Sequence, residues 1–415
     1  MANDGLFLSN ENEVALTIQV FRNHAITFLA NLNTPIHKWR LPRTPDDFEV
    51  FVKRDDMTGS VLSGNKLANL NTPIHKWRLP RTPDDFEVFV KRDDMTGSVL
   101  SGNKIRKLEF LLADAVDKGC EVILTCGGVR SNHCRATAIS SCQLGLECHL
   151  FLWSRTKDLK GQFTGNTLLD RMVGANFYLV PSECSFQKEI YPRMQQLQEH
   201  IMKTSGKKCY SIPLGGSNCV GVWGYIDCFN ELMKQGLHER FTDIVVASGS
   251  TGSVTGLAIG NHLTGNKVKV HGMAVISDAA YFHEEADAIL RDLGLQASDG
   301  SSGVKAADIM DIVEGVKGIG YGLSTPEELE CIQEVATTTG ILVDPCYTGK
   351  ATYHTMKLMR ENPDRFIGKK ILFIHTGGWF DLFSGVMSSA IDGKSSAENK
   401  VYDWMEMTDK LPFNQ

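Results

Sequence analysis

The sequence lacks a long apolar run, an excess of positive charge and any familiar metal-binding pattern. No stretch of about 18 consecutive apolar residues occurs, so a membrane-spanning helix is not expected. Lys and Arg together number 43 against 49 Asp and Glu, which gives a formal net charge of -6. Nucleic acids and anionic membranes attract a basic surface. The composition therefore predicts neither of them as a partner.

The cysteines and residues 1–28 indicate the cellular compartment in which the protein is expected. Neither CxxC nor HExxH is present, and the eleven cysteines are irregularly spaced, so no metal site is expected and the chain is typical of a reduced, intracellular protein. Residues 1–28 hold Asp4, Glu11 and Glu13 with one arginine, Arg22, a poor match to a secretory or mitochondrial leader. We expect a cytoplasmic location, and a mitochondrial one stays open.

A perfect internal repeat occupies the first quarter of the chain. Residues 29–66 and 67–104 are the same 38 letters, LANLNTPIHKWRLPRTPDDFEVFVKRDDMTGSVLSGNK. A solenoid needs about three or more diverged units, so two identical copies do not predict one. A recent tandem duplication and a gene-model error both explain the identity, and the sequence does not separate them.

Only the second copy continues into a foldable segment. Lys66 runs into the start of the next copy, whereas Lys104 runs into IRKLEFLLADAVDKG. Apolar residues in that segment recur at three- and four-residue spacing, which predicts an amphipathic helix ending at Gly119. We therefore expect residues 29–66 to be surplus, poorly packed and protease-sensitive.

The rest of the chain alternates β-type and helical patterns. Strands are predicted at residues 121–125, 148–153, 176–180, 209–213, 243–247, 268–273 and 370–375. Helices are predicted at residues 186–203, 219–234 and 326–339, among others. This alternation, with Val- and Ile-rich strands, predicts an α/β protein with parallel sheets flanked by helices. Ligands in such sheets bind at the carboxyl ends of the strands.

Lys104 ends a short polar segment, SGNK, directly before the predicted amphipathic helix. A lysine at a helix start is usually a solvated side chain. Gly102 beside it indicates a tight turn where a ligand or another chain segment comes close. Lys104 is therefore a candidate only together with other motifs.

Two turns that follow predicted strands are candidates for anion binding. The first, CGGVRSNH at residues 126–133, offers glycines and free helix-start N–H groups, although an ordinary capped turn also explains it. The second, SGSTGSVTG at residues 248–256, combines small residues and hydroxyls that can wrap a phosphate. It has neither the P-loop lysine nor a GxGxxG pattern, so a monophosphate suits it best. Its phosphate-binding candidates are Gly249, Ser250, Thr251, Gly252 and Ser253.

A lysine, a monophosphate cradle and polar tips at βα turns are together what pyridoxal 5'-phosphate (PLP) requires. Its aldehyde needs a lysine amine and its phosphate needs an anion site. Three further motifs lie downstream, GIGYG at residues 318–322, DPCYTGK at 344–350 and HTGG at 375–378. His375 in the last of these is expected to be structural rather than catalytic.

In this order the motifs closely resemble the D-cysteine desulfhydrase and 1-aminocyclopropane-1-carboxylate (ACC) deaminase family. The matching segments are SGNKIRKLEF, GGVRSNHCRATA, SGSTGSVTGLA, GIGYG, DPCYTGKA and FIHTGG. The resemblance covers about residues 67–381 and implies a PLP-dependent, tryptophan-synthase-β-like (fold type II) enzyme. Neither the first repeat copy nor the segment after Asp381 is part of the pattern.

The resemblance implies roles for individual residues. Lys104 would hold the PLP aldehyde, Asn132 would bond the ring 3-hydroxyl, and residues 249–253 would hold the phosphate. Ser131, Asn132 and His133 would receive the substrate carboxylate. The implied catalytic set is Lys104, Ser131, Tyr321 and Tyr347.

Two further positions, Thr348 and Thr376, bear on the substrate. Thr348 would lie at the pyridine nitrogen and Thr376 beside the ring. ACC deaminases tend to carry Glu and Leu there, and D-cysteine desulfhydrases carry small hydroxyl residues. The resemblance thus favours D-cysteine desulfhydrase, with conversion of D-cysteine to pyruvate, ammonia and hydrogen sulfide. ACC deaminase is the nearest alternative, and a non-catalytic PLP-binding protein is an alternative of another class.

The resemblance also implies a domain division. A large PLP-binding domain would comprise residues 67–106 and 214–392, with a small domain at 107–213. An N-terminal extension (1–28), the extra repeat copy (29–66) and a C-terminal tail (393–415) would lie outside both. We expect a homodimer that acts on a small amino acid.

Overall fold

The computed structural model describes residues 36–39, 50–53, 70–159, 163–394, 400 and 402. The expected N-terminal extension lies outside the described residues, as do most of the first repeat copy, including Lys66, and most of the expected tail. For residues 36–39 and 50–53 only the strands themselves are described.

In the part of the chain that the structure describes, twelve strands make up three sheets. In chain order they are β1 (Ile36–Trp39), β2 (Val50–Lys53), β3 (Ile74–Lys76), β4 (Glu87–Lys91), β5 (Val122–Gly128), β6 (Glu147–Ser154), β7 (Asn176–Pro181), β8 (Cys209–Ser211), β9 (Asp243–Ser248), β10 (Lys269–Ala274), β11 (Asp311–Val313) and β12 (Lys370–Ile374). β1 and β2 pair antiparallel in a sheet of their own. The other ten strands form the two sheets that carry the candidate site.

The larger sheet has six strands in the order β11-β10-β9-β12-β4-β3. All neighbours are parallel except β3, which lies antiparallel to β4 at the edge. The second sheet has four parallel strands in the order β7-β6-β5-β8. The predicted α/β architecture with parallel sheets is therefore confirmed.

Helices connect the strands and cover the sheets. The α-helices of four or more residues are α1 (Lys104–Asp117), α2 (Asn132–Gln143), α3 (Gly165–Met172), α4 (Tyr191–Ser205), α5 (Trp223–Lys234), α6 (Leu237–Arg240), α7 (Gly252–Leu263), α8 (Ala279–Asp292), α9 (Ala306–Ile309), α10 (Pro326–Thr339), α11 (Thr348–Glu361) and α12 (Val386–Asp392). Within the described residues, no helix is long and apolar enough to cross a membrane.

The strands are apolar because both faces of the larger sheet are covered. In β9, Ile244 and Val246 pack with α5, α7 and α8 in one core cluster. The alternating residues Val245 and Ala247 pack with α10 and α11 in another. Successive side chains of a strand point to opposite faces, so a strand buried on both sides needs apolar residues at every position.

A buried charged network ties α1 to the second repeat copy. Arg106, on the first turn of α1, donates from Nε and Nη2 to the carboxylate of Asp93 at 2.8 and 2.7 Å. Thr72 and Tyr225 also donate to that carboxylate, at 2.8 and 2.7 Å. Arg106 and its neighbours hold the pKa of Asp93 below its usual value against the opposing effect of burial. Since Lys104 begins the same helix, this network helps to fix its backbone.

Candidate active site

A cavity of about 850 Å³ lies where the carboxyl ends of strands from both sheets face each other. The turns after β5, β6, β9 and β12 contribute to its wall, together with the start of α1 and the loop at residues 318–323. The predicted site residues that line it are Lys104, Ser131, Asn132, His133, Gly249, Ser250, Tyr321, Tyr347 and Thr376. Residues predicted from separate motifs are thus brought to one place.

Lys104 is the first residue of α1 and its side chain is partly buried in the cavity wall. Its Nζ lies 3.4 Å from Ser250 Oγ. Burial lowers the pKa of Lys104 to about 8, because a charged amine loses hydration there. A lysine with a lowered pKa is a better nucleophile and base near neutral pH.

The loop after β9 leads into the N-terminus of α7 beside Lys104. Gly249 and Ser250 line the cavity, and Thr251, Gly252 and Ser253 begin the helix behind them. Asn103 links the two motifs, donating from Nδ2 to Ser253 Oγ at 3.0 Å. Helix N-termini present free N–H groups that favour anions, so the loop is suited to a phosphate group.

Gly215 faces this loop from the segment after β8. A Cβ built on Gly215 would lie 2.0 Å from Ser250 Oγ and 3.3 Å from Lys104 Nζ, and its φ is +62°. Only glycine therefore fits without displacing the loop. Because Gly215 has no side chain, its backbone can approach Ser250 closely and still leave space beside Lys104 Nζ.

Lys107 is a second lysine at this loop that the sequence analysis missed. It is fully buried, and its Nζ donates to the carbonyl oxygen of Gly215 at 3.1 Å and to Ser217 Oγ at 3.2 Å. Burial, together with the nearby Lys104, lowers its pKa well below the usual range. The only sequence signal is its spacing, three residues after Lys104, which places both on one face of a helix.

Asn132 is oriented by a chain of hydrogen bonds from α2 and α3. Arg135 Nε donates to Asn166 Oδ1 at 3.1 Å, and Asn166 Nδ2 donates to Asn132 Oδ1 at 3.0 Å. The amide oxygen of Asn132 is therefore occupied, and its Nδ2 remains as the donor for a group in the cavity. Asn166 was also missed from the sequence, since it lies 34 residues away and outside every motif.

Ser131 and His133 flank Asn132 at the start of α2. Ser131 is the N-cap, and its Oγ accepts from the N–H of Cys134 at 3.1 Å. Thr125 Oγ1 donates to the carbonyl oxygen of Ile212 and accepts from His133 Nε2, both at 2.9 Å. Burial, with Lys104 and Lys107 nearby, holds the pKa of His133 well below its usual value. His133 is therefore a neutral ring at physiological pH.

Tyr321 and Tyr347 meet in the lining of the cavity. Their hydroxyl oxygens are 2.5 Å apart and their rings pack edge to face. Tyr321 is 41% exposed, whereas burial and the neighbouring Tyr321 raise the pKa of Tyr347 well above its usual value. The pair presents neutral hydroxyl groups, able both to donate and to accept hydrogen bonds.

The two substrate-choice positions differ in exposure to the cavity. Thr376 lines the cavity, and its carbonyl oxygen accepts from the N–H of Asn103 at 3.1 Å. Thr348 is fully buried at the start of α11; its Oγ1 donates to Asp344 Oδ1 at 2.6 Å and accepts from the N–H of Asp344 at 2.8 Å. The Thr348 hydroxyl is therefore already occupied by protein groups.

His375, as expected for a structural residue, is fully buried. Its Nε2 donates to the carbonyl oxygen of Leu342 at 2.8 Å, and its Nδ1 accepts from the N–H of Gly377 at 3.2 Å. Both ring nitrogens are therefore bonded to the backbone.

The residues present fit PLP on three structural grounds. A lysine of lowered pKa borders the cavity, a small-residue loop at a helix N-terminus lies 3.4 Å from its amine, and Asn132, whose amide oxygen accepts from Asn166, lines the same space. These features correspond to the aldehyde, phosphate and ring hydroxyl of the cofactor.

Comparison with known proteins agrees with this chemistry. A family model described as pyridoxal-phosphate dependent enzyme matches residues 65–377. A bifunctional D-cysteine desulfhydrase/ACC deaminase, mitochondrial, of Arabidopsis thaliana is 44% identical over 86% of this chain and 79% of its own length. A D-cysteine desulfhydrase of Yersinia enterocolitica is 32% identical over 85% of this chain and 93% of its own.

Solved structures give the same result at the level of the fold. The crystal structure of an ACC deaminase homologue superposes with a TM-score of 0.65 and 32% identity, covering 77% of this chain and 93% of that chain. O-ureido-L-serine synthase, at 16% identity and a TM-score of 0.56, shares the fold. The chain therefore belongs to the pyridoxal-phosphate-dependent enzymes, in the family that includes D-cysteine desulfhydrases and ACC deaminases.

Proposed function

We propose that this enzyme is a D-cysteine desulfhydrase, which converts D-cysteine and water to pyruvate, ammonia and hydrogen sulfide. The observation that carries the proposal is the position of Lys104, whose amine has a pKa of about 8 and shares one cavity with the start of α2 and the tyrosine pair. The names of relatives that are 44% and 32% identical support the same reaction.

We propose that PLP is held by residues from three segments. Lys104 would bond its aldehyde, residues 249–253 with the N-terminus of α7 would bind its phosphate, and Asn132 Nδ2 would donate to its ring hydroxyl. Thr348 is the proposed neighbour of the pyridine nitrogen, with its hydroxyl held by Asp344. When bound, the cofactor supplies an aldehyde for the substrate amine and a ring that takes up the electron pair released at the α-carbon.

The protein's own groups would then bind the substrate and move its protons. Ser131 and the N–H groups of Asn132 and His133 would hold the carboxylate at the N-terminus of α2. The amine of Lys104 would take the α-proton, because its lowered pKa leaves much of it neutral near pH 8. Neutral His133 would add no positive charge there. L-cysteine would be a poor substrate, since a carboxylate held this way directs its α-proton away from Lys104.

The neutral residues near the ring favour D-cysteine over ACC. A carboxylate at the pyridine nitrogen would favour the protonated ring, which is the stronger electron sink that ring opening of ACC should need. Thr376 lines the cavity and Thr348 is the proposed neighbour of the pyridine nitrogen, and neither side chain carries a carboxylate. Sulfide is a good leaving group, so its elimination should tolerate the weaker sink.

The direct test is release of keto acid and sulfide by the purified holoenzyme with D-cysteine, L-cysteine and ACC in parallel. We expect strong turnover of D-cysteine, poor turnover of L-cysteine and little or none of ACC. Faster release of ammonia from ACC than of sulfide from D-cysteine would overturn the assignment. Absence of any keto acid would favour the non-catalytic PLP-binding alternative.

ACC deaminase is the second candidate, because the Arabidopsis relative carries both activities in its name. The double variant Thr348→Glu with Thr376→Leu tests the physical argument. We expect it to gain ACC deamination and lose D-cysteine turnover. The matched single variants Thr348→Gln and Thr376→Val, which add no carboxylate, should not gain ACC activity.

The proposal also covers the oligomeric state of the protein, the limits of its domains and its location in the cell. We propose a homodimer, a large domain of residues 67–106 and 214–392 with a small domain of 107–213, and an intracellular, cytoplasmic location. All eleven cysteines are unpaired, which supports a reducing compartment. Light scattering of the purified protein tests the dimer, limited proteolysis tests the domain limits, and cell fractionation tests the location.

A further inference from the structure

Arg130 lines the cavity and connects its own turn to two other segments of the chain. It lies in the turn between β5 and α2, directly before Ser131. Its Nε and Nη2 each lie 2.5 Å from a carboxylate oxygen of Asp381, and its Nη1 donates to the carbonyl oxygen of Gly322 at 3.0 Å. Asp381 belongs to the helical turn Trp379–Phe383 after β12, and Gly322 follows Tyr321. One guanidinium therefore joins the second sheet to two segments of the larger one.

The backbone of Arg130 is also tied to the Asn132 side chain. Asn166 Nδ2 donates to the carbonyl oxygen of Arg130 at 2.9 Å and to Asn132 Oδ1 at 3.0 Å. A displacement of Arg130 would therefore be transmitted to Asn132 as well as to the adjacent Ser131. No substrate contact of Arg130 is needed for this effect.

The ion pair is forked and largely buried, and burial raises the pKa of Asp381 to about 6 although Arg130 opposes this rise. Only 28% of the Arg130 side chain and 1% of the Asp381 side chain are exposed, and the contact uses two parallel donors. Such forked, partly buried pairs fix geometry as well as contribute energy. Exposed ion pairs with a single contact fix geometry less well and contribute much less energy.

We propose that Arg130 is a positioning residue, which with Asp381 and Gly322 sets the distance between the carboxylate-binding turn at Ser131 and the tyrosine pair. This inference rests on the proposed function, because the start of α2 is assigned there to the substrate carboxylate, and Tyr321 and Tyr347 line the same cavity. Loss of the Arg130–Asp381 ion pair would leave Ser131 and the tyrosine pair free to separate. Binding of a small amino acid that must contact both would then weaken.

The test compares Arg130→Met with a matched control, Arg365→Met. Arg365 makes the same kind of forked pair, with Asp311 at 2.8 and 2.7 Å, and donates to the carbonyl oxygen of Ile312 at 2.8 Å. Its side chain is 29% exposed. It lies at the amino ends of the strands in the larger sheet, away from the cavity, so it reports the cost of losing a forked pair alone.

For the holoenzyme we expect Arg130→Met to raise KM for D-cysteine at least about 10-fold, as loss of a charged hydrogen bond would, with a smaller change in kcat. Arg130→Lys keeps the positive charge but cannot make the two parallel hydrogen bonds to Asp381. Its KM for D-cysteine should therefore rise less than that of Arg130→Met. Arg365→Met should lower thermal stability without changing KM. Amides at residues 320–323 should exchange hydrogen faster in Arg130→Met than in the wild type or in Arg365→Met.

Equal KM changes in Arg130→Met and Arg365→Met would overturn the proposal, as would an unchanged KM with unchanged exchange at residues 320–323. If the wild type does not turn over D-cysteine, the proposed function fails. In that case the exchange comparison alone decides whether Arg130 positions the tyrosine segment.

Discussion

The two copies of the repeat are the same sequence in two structural settings. In both, the segment containing IHK lies antiparallel to the one containing VFVK, and the register is the same: Ile36 is opposite Lys53, and Ile74 is opposite Lys91. The side-chain pattern thus specifies the local pairing in each copy.

The two copies differ in whether the strand that contains VFVK also pairs with a second strand. β4 also pairs in parallel with β12, from Glu87 opposite Lys370 to Lys91 opposite Ile374, and so becomes an inner strand of the larger sheet. β1 and β2 form a sheet of two strands. Local sequence sets pairing and register, whereas the covalent connection through Lys104 gives the second copy the advantage for the place beside β12.

The largest expected difference between the copies is catalytic. We predict that Lys104→Ala lowers kcat/KM for D-cysteine by about 10²–10⁴-fold, the range for removal of a general base, and removes the visible absorbance of the bound cofactor. Lys66→Ala, the matched change in the first copy, should alter neither. Loss of absorbance in the Lys66 variant with retention in the Lys104 variant would reverse the assignment.

A large difference in stability is expected at the aspartates that follow the VFVK segments. Asp93 is fully buried with Arg106, so Asp93→Asn should lower the free energy of unfolding by about 3–5 kcal/mol, as breaking a buried ion pair does. Asp55→Asn, at the equivalent position of the first copy, should change it by less than about 0.5 kcal/mol. Chemical denaturation of the holoenzyme measures both, and equal losses would show that the copies are used equally.

A smaller difference is expected for core packing. Val90 is fully buried in β4, and Val90→Ala should cost about 2 kcal/mol, since each buried methylene contributes roughly 0.8 kcal/mol. Val52→Ala, at the matched position in β2, should cost much less. The difference in denaturation midpoint between the two variants measures how far packing distinguishes the copies, and no difference would contradict our interpretation.

The smallest effect should follow from removing the first copy altogether. Deleting residues 29–66 should leave activity unchanged or raised and should change stability by no more than about 1 kcal/mol, because among the described residues β1 and β2 pair only with each other and an isolated two-stranded hairpin is marginally stable. Activity assays and thermal unfolding of the deletion protein test this. A misfolded or inactive product would show that the extra copy is structural.

The sequence predicted the architecture because its signals are local. Seven strands were placed within a few residues of their observed bounds; residues 121–125, for example, became Val122–Gly128. The helix at residues 326–339 is observed at Pro326–Thr339, where Thr325 and Glu328 form a capping box. The pattern predicts neither β3 nor β11, since three residues give too short a signal.

The long-range contacts of the site were not predictable in the same way. Arg130 and Asp381 are 251 residues apart, and neither has a pattern that names the other. Lys107 and Asn166 likewise acquire their positions only when the two sheets meet. Motifs identify the groups that line a cavity, whereas the groups that orient them depend on tertiary packing.

The chain that orients Asn132 begins at an arginine. Arg135 is fully buried, and although burial lowers its pKa to about 10, it remains protonated at neutral pH and can only donate. Each amide in the series must then accept on one side and donate on the other. The Asn132 amide N–H group at the end of the series can therefore only donate, so it suits a hydrogen-bond acceptor at every physiological pH without any titrating group.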